Sequence, residues 1–322
     1  MAALSDQLVA IAILVYLVAM ICHAAEYALA PAPARKVAPE RELVGAATGA
    51  GGVAGEPPVA TPVAPRGPSP AIRIAGRLAV VVTVLATLVH GAATVSRGIA
   101  AERMPWGNMY EFVLTLSFVG VVGWLVLLWR HPEVRKLGLF VTLVMVLLLA
   151  VAELVLYVEV VPLMPALQSY WFQIHVSTVV FASGLFLLGV VPALTYLMRA
   201  GYEDGRRSFP YTLARRLPAA ASLERLTFGL HAFAFPLFTF GVIAGAVWAE
   251  AAWGRPWGWD PKETWSFISW VIYAGYLHAR ATPSVKRNVV VWIAVFGFAT
   301  MLMNLFGVNM FFEGLHSYAD ID

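Results

Sequence analysis

Eight apolar stretches of spanning length follow one another along the chain, at 7–30, 72–97, 109–130, 136–158, 174–199, 226–249, 264–281 and 287–310. A helix that crosses the hydrocarbon core needs about 20 predominantly apolar residues. The pattern therefore predicts an all-α polytopic membrane protein of about eight transmembrane helices. Residues 31–71 interrupt it with a Pro-, Ala- and Gly-rich run that reads as a disordered cytoplasmic linker. That linker separates an N-terminal transmembrane helix, 1–30, from a main transmembrane domain, 72–322. After the fourth stretch, Pro162 and Pro165 rule out a continuous helix, and the amphipathic remainder up to 175 is expected along the outer surface. The polar, basic stretch 200–225 reads as a solvated connector. There is no internal repeat.

Composition supports this class, with 60% hydrophobic and only 13% charged residues. The first apolar stretch lacks a basic start and a small-residue cleavage site and carries Asp6 ahead of it, so it reads as a retained helix. Charge sets the orientation. If the loop between the sixth and seventh helices faces outward, the outer segments hold only Arg97, Arg103, Arg255 and Lys262 of the 22 basic residues. The other eighteen fall inside. The positive-inside rule then places both termini and that loop on the extracytoplasmic side of a plasma (inner) membrane. The sequence pI near 9.0 comes from this inner-face bias. No basic stripe with interleaved aromatics is present, which excludes a nucleic-acid grip.

The outward loop, 253–265, carries the densest chemistry. Trp253, Trp257, Trp259 and Trp265 share it with Arg255, Asp260, Lys262 and Glu263. Interfacial aromatic belts also enrich Trp, but belt residues scatter over many helix ends. Indole faces beside a few fixed charges suit a planar, mostly apolar ligand with carboxylates, such as haem. Lys262 and Arg255 are candidate partners for such carboxylates; Lys262 pairing with Asp260 or Glu263 is the alternative.

Of the seven histidines, His131 sits in an inner loop and reads as solvated. His23, His90 and His231 lie inside apolar helices, where a packing role competes with a functional one. His175, at the start of the fifth helix, and His316, after the last, fall at the depth of the tryptophan loop. Two neutral imidazoles above one aromatic platform can supply both axial ligands of a haem iron. His278 lies at the inner end of the seventh helix, about 20–25 Å from the loop, too far for the same haem. It marks a second site that needs a ligand from elsewhere. Glu153 and Glu159 end the fourth helix, Glu153 being the deeper candidate for proton or carboxylate traffic. Cys22 is the lone cysteine, so the chain has no Cys-x-x-Cys pair and any thiol chemistry must come from a partner.

The run Trp253-Gly254-x-x-Trp257-x-Trp259-Asp260-Pro261-Lys262-Glu263 resembles the tryptophan-rich WWD signature of the haem-handling proteins of cytochrome c maturation. Asn108-x-Tyr110-Glu111, Tyr170-Trp171-Phe172-Gln173-Ile174-His175 and the spacing His175…His278…His316 are similar to its CcsA/ResC branch, named CcsB in actinobacteria. The resemblance covers about 75–322. Pro256 departs from it, standing where an aromatic is usual. The resemblance implies a system II role in which haem b is taken up near the inner leaflet and passed outward. There it is held at Trp253, Trp257, Trp259 and Asp260 between His175 and His316, and joined to the CxxCH motif of an apocytochrome c. It further implies that His278 ligates an inner haem whose other ligand lies on a ResB-type membrane protein, and that a thioredoxin-like thiol reductase serves the pathway. Other readings are a haem exporter, a CcmC-like chaperone without ligase activity, and a bis-histidine electron-transfer cytochrome b.

Overall fold

The computed structural model describes residues 1–29, 70–163 and 167–316. The proposed linker lies outside them, except that its last two residues are helical. Among the described residues every regular element is helical: α1 Ala2–Leu29, α2 Pro70–Ala101, α3 Met109–Arg130, α4 Gly138–Val155, α5 Tyr170–Glu203, α6 Ala220–Trp253, α7 Pro261–Ala281, α8 Arg287–Leu302 and α9 Val308–Phe311. A π-helical turn, Met303–Gly307, joins α8 to α9. Seven of the helical segments are long and apolar enough to cross a membrane, so the chain is a multi-pass membrane protein. The predicted seventh stretch, now α7, is not one of the seven, because Lys262, Glu263, Ser266 and Ser269 dilute its first half.

Helix starts follow capping chemistry more closely than hydropathy. Ser169 accepts from Trp171 N (3.3 Å) and so starts α5 at Tyr170, ahead of the expected 174. His175 is therefore in the second turn of α5, and the sequence from 170 onward is helix rather than a surface segment. At the other end α5 runs on to Glu203, and α6 starts at Ala220. Between them a short 3-10 turn, Tyr211–Arg216, buries Ala214, with Leu217 buried beyond it. The connector is thus partly packed, contrary to the solvated reading. Asn108 caps α3 by accepting from Glu111 N (2.9 Å). α6 stops at Gly254, whose φ of +70° is the left-handed geometry that glycine adopts at helix ends.

α1 lies along α2 and α4, and α5 along α6. With lipid outside, polar contacts rather than hydrophobic sorting set such registers. For α1 they are Ser5 Oγ to Ala93 O (3.0 Å), Tyr16 OH to Thr87 Oγ1 (3.3 Å) and His23 Nε2 with Thr83 Oγ1 (3.2 Å).

At the end of the bundle that carries the 253–265 loop (the loop end, below) lies a buried charge network. Arg97 and Glu111 are both fully buried, with Nε 3.2 Å from Oε1. Glu111 also accepts from Arg103 Nη2 (3.2 Å) and from Gly107 N (2.9 Å). Arg97 further sits over the Tyr110 ring (5.0 Å) and lies 3.7 Å from Asp6. This network pins the 103–108 loop to the heads of α2 and α3.

Candidate functional site

A cavity opens at the loop end, with about 1510 Å³ of empty space counted out to its mouth. Its wall joins helices far apart in sequence: His175 from α5, Trp257 from the loop, Lys262 from α7, Asn304 from the π turn and His316 beyond α9. Most of the remaining surface is aliphatic or aromatic.

The two histidines are held in one tautomer. His175 donates from Nδ1 to the Gly241 carbonyl (2.8 Å); a carbonyl only accepts, so the proton is on Nδ1 and Nε2 is the basic nitrogen. His316 Nδ1 is 2.8 Å from Asp260 Oδ2, and the same logic holds because the carboxylate is ionised. Burial pushes the Asp260 carboxyl up, but the bonds from His316 and from Leu315 N (2.8 Å) outweigh it and hold the group below its ordinary 3.8. Carboxylate and carbonyl partners of this kind orient metal-binding imidazoles.

Trp248 unites the pair. It is 1% exposed, stacks on His175 (6.1 Å between centroids, 12°) and meets His316 edge-on (5.9 Å). Trp253 closes behind, 4.8 Å from both Trp248 and His316. In the sequence Trp248 looks like one more residue of an apolar run. The signal was Gly241-x-x-x-Gly245-x-x-Trp248, which puts two small residues and an indole on one helix face. The glycine at 245 is needed, since a Cβ there would lie 2.7 Å from His175 ring atoms.

The predicted residues separate into three groups. His175, His316 and Trp257 line the cavity, while Trp253 and Asp260 back it. Trp259 stands outside, 64% exposed, edge-on to Trp257 and Phe267, with a left-handed φ of 59° that is rare for an aromatic. His278 lies on the exposed face of α7, near the opposite end of that helix. Glu263 accepts from Gly258 N (2.7 Å) and Asp260 N (3.0 Å), which shapes the loop and starts α7. Neither acid therefore forms a described ion pair with Lys262. Lys262 lies in the first turn of α7, partly exposed, and lines the cavity.

The three histidines inside apolar helices lie away from the cavity lining and have partners of their own. His90 bonds Leu114 O (3.0 Å), His231 bonds Thr227 O (2.7 Å), and His23 packs edge-on against Trp124 (5.6 Å). His131 is exposed, as expected, and so is Glu159. Glu153 accepts from Tyr110 OH (3.2 Å), beside the Arg97 network.

Fold and site together define a multi-pass helical membrane protein with an aromatic-lined cavity, two oriented imidazoles on its wall, at one end of the bundle. The chain belongs to the cytochrome c assembly protein family, whose model matches residues 106–316. It is 32% identical over 252 residues to the cytochrome c biogenesis protein CcsA of Guillardia theta, covering 73% of this chain and 83% of that one. It is 31% identical to CcsA of Porphyra purpurea over 284 residues, 76% and 89% of the two chains. With CcsA of Gloeobacter violaceus it shares 31% over 273 residues, 69% and 80% respectively.

Proposed function

We propose that this protein holds haem b between His175 and His316 and presents it for covalent attachment to the CxxCH motif of an apocytochrome c. The observation that carries this reading is the matched pair of imidazoles, each with Nδ1 committed to an acceptor and Nε2 basic, bridged by Trp248 on one cavity. Each thioether arises by addition of a cysteine S–H across a haem vinyl group. A carbon–sulfur bond forms, the proton goes to the neighbouring vinyl carbon, and no electrons are gained or lost. The protein's share is then mainly positioning and control of the iron's ligation.

In this reading the bundle crosses a plasma membrane eight times, α7 included, with both termini and the 253–265 loop outside. α7 supplies the eighth crossing against its Ser and Thr content because neighbours satisfy those groups, Ser269 donating to Thr300 (3.0 Å) and Ser266 accepting from Asn304 (3.0 Å). The exposed His278 ligates an inner haem whose second ligand is on a ResB-type membrane protein. A thioredoxin-like reductase keeps the apocytochrome cysteines reduced, since Cys22 is this chain's lone thiol.

The test is the absorption spectrum of the protein purified with its ResB-type partner, alongside cytochrome c yield in the same cells. His175→Ala and His316→Ala should each lose the low-spin bis-imidazole spectrum, drop cytochrome yield at least tenfold, and regain the spectrum with added imidazole. Unchanged spectra in both variants would refute the assignment. Gly245→Ala offers a subtler check, because the added methyl must displace the His175 ring. Haem affinity should fall several-fold while helicity is kept; an unchanged affinity means His175 does not hold the iron from this position.

A further inference from the structure

The connector between α5 and α6 carries charge and an apolar side chain that the cavity does not use. Residues 204–219 hold Arg206, Arg207, Arg215 and Arg216 against a single acid, Asp204. They precede α6, whereas the 253–265 loop follows it, so the two lie at opposite ends of that helix. The apolar stretches on either side stop at 199 and resume at 226. At about 1.5 Å per helical residue, the helix ends at Glu203 and Ala220 stand roughly 6 and 9 Å beyond those limits. The headgroup layer on each face of a bilayer is about 5–8 Å deep, and the connector therefore runs along it.

Two of the arginines are held in place. Arg206 donates from Nη1 to Tyr211 OH (2.7 Å) and lies over the Tyr211 ring (5.1 Å). Arg207 donates from Nη1 to the carbonyls of Tyr202 (2.6 Å) and Arg206 (3.0 Å), and lies over the Tyr202 ring (4.1 Å). These bonds draw on Nη1 alone, and stacking on a ring consumes no N–H group. Both side chains are exposed, and no described ion pair reaches either. Glu203 is taken by Arg199 Nε (2.8 Å) and Ala220 N (3.3 Å). Phe209, two residues after Arg207, is 79% exposed, which water disfavours and a lipid surface accepts. A planar guanidinium matches a phosphate with two parallel N–H bonds. Fixed cations beside an exposed aromatic ring are the makings of an element that rests in the membrane interface.

We propose that Arg206, Arg207 and Phe209 seat the headgroup of an anionic phospholipid, the guanidiniums on its phosphate and the phenyl ring among the acyl chains. A zwitterionic lipid offers the same phosphate but brings its own cation, so the seat selects for net negative charge. The inference needs the multi-pass fold and not the haem reading. It fastens to the bilayer one end of the α5–α6 pair, whose other end carries His175 and Trp248.

The experiment titrates phosphatidylglycerol and phosphatidylcholine separately into the full-length protein in detergent, with native mass spectrometry reading the affinity of the first bound lipid. Inorganic phosphate is the competitor. The proteins compared are wild type, Arg206→Gln with Arg207→Gln, Phe209→Ser, and Arg225→Gln, an exposed arginine of α6 outside the seat. Circular dichroism checks that helicity is kept. Wild type should bind phosphatidylglycerol at least tenfold more tightly than phosphatidylcholine. The double variant should lose most of that preference, with phosphatidylcholine affinity held within about twofold. Phe209→Ser should weaken both lipids several-fold and keep the preference, and Arg225→Gln should match wild type. Equal binding of the two lipids by wild type, the result expected if an acidic protein covers this surface instead, overturns the seat. So does a double variant that keeps the preference. A loss in Arg225→Gln as large as in the double variant also overturns it, by showing diffuse attraction to the whole basic end. Displacement of the lipid by phosphate at equal concentration makes the site one for a free anion, and Phe209→Ser equal to wild type removes its apolar half.

Discussion

Glu111→Gln is expected to destabilise the protein by about 3–5 kcal/mol, the usual cost of breaking a buried ion pair by removing one partner. The carboxylate is fully buried and gathers Arg97, Arg103 and the Gly107 amide. A neutral amide can satisfy some of these donors but cannot balance the Arg97 charge, which is itself fully buried and keeps only Asp6 at 3.7 Å. Thermal unfolding in detergent measures the loss. Glu159→Gln, at an exposed residue, should leave the midpoint unmoved. Replacing both partners, Arg97→Met with Glu111→Leu, should recover much of the loss, because apolar pairs of similar volume avoid the desolvation penalty. A midpoint for Glu111→Gln equal to wild type would show that the network is solvated and carries little energy. The effect should also reach the cavity. Gly107 is tied to Glu111 and flanked by Trp106 and Asn108, which line the cavity, so loosening it lets that wall move.

This network shows where sequence reading stops. Glu153 is in the sequence a lone candidate for proton or carboxylate traffic, and its neighbours Tyr110, Arg97 and Asp6 come from other helices. Pairings between residues tens of positions apart leave no periodic trace. What hydropathy could deliver, it did: every predicted apolar stretch became a helix, with errors at ends such as the start of α5 after Ser169 and the stop of α6 at Gly254. Much of the cavity was also readable, because His175, His316 and Trp257 are polar or bulky residues at the ends of apolar runs, where their presence needs a reason. Trp248 was hidden by the opposite circumstance, since an indole within an apolar helix looks like core. Trp259 joins the platform by its motif, and a loop has no period from which to read its left-handed backbone or its 64% exposed ring. Asp260 was placed at the site by its motif, but its part as an orienting acceptor needed the bond to His316 to be seen.

That bond yields the second large effect. Asp260→Asn should weaken haem binding about 10–100-fold, the range found when an orienting partner of a metal-bound histidine is lost. Asp260 accepts twice, from Leu315 N at Oδ1 and from His316 Nδ1 at Oδ2. Asparagine has a single acceptor oxygen. If that oxygen keeps Leu315, the amide N–H meets His316 and favours the tautomer with the proton on Nε2, which removes the lone pair that would ligate an iron. If it keeps His316, the Leu315 amide loses its acceptor and the segment that carries the histidine is released. Either outcome costs affinity, by tautomer or by position, and the two are separable. A tautomer fault leaves the 312–316 segment in place, so added imidazole restores the low-spin spectrum at the same concentration as in His316→Ala. A released segment instead becomes sensitive to protease, and imidazole restores the spectrum without closing that cut. Affinity and spectrum both equal to wild type in Asp260→Asn would mean that other contacts of His316, those with Trp253 and Trp248 among them, suffice to orient it.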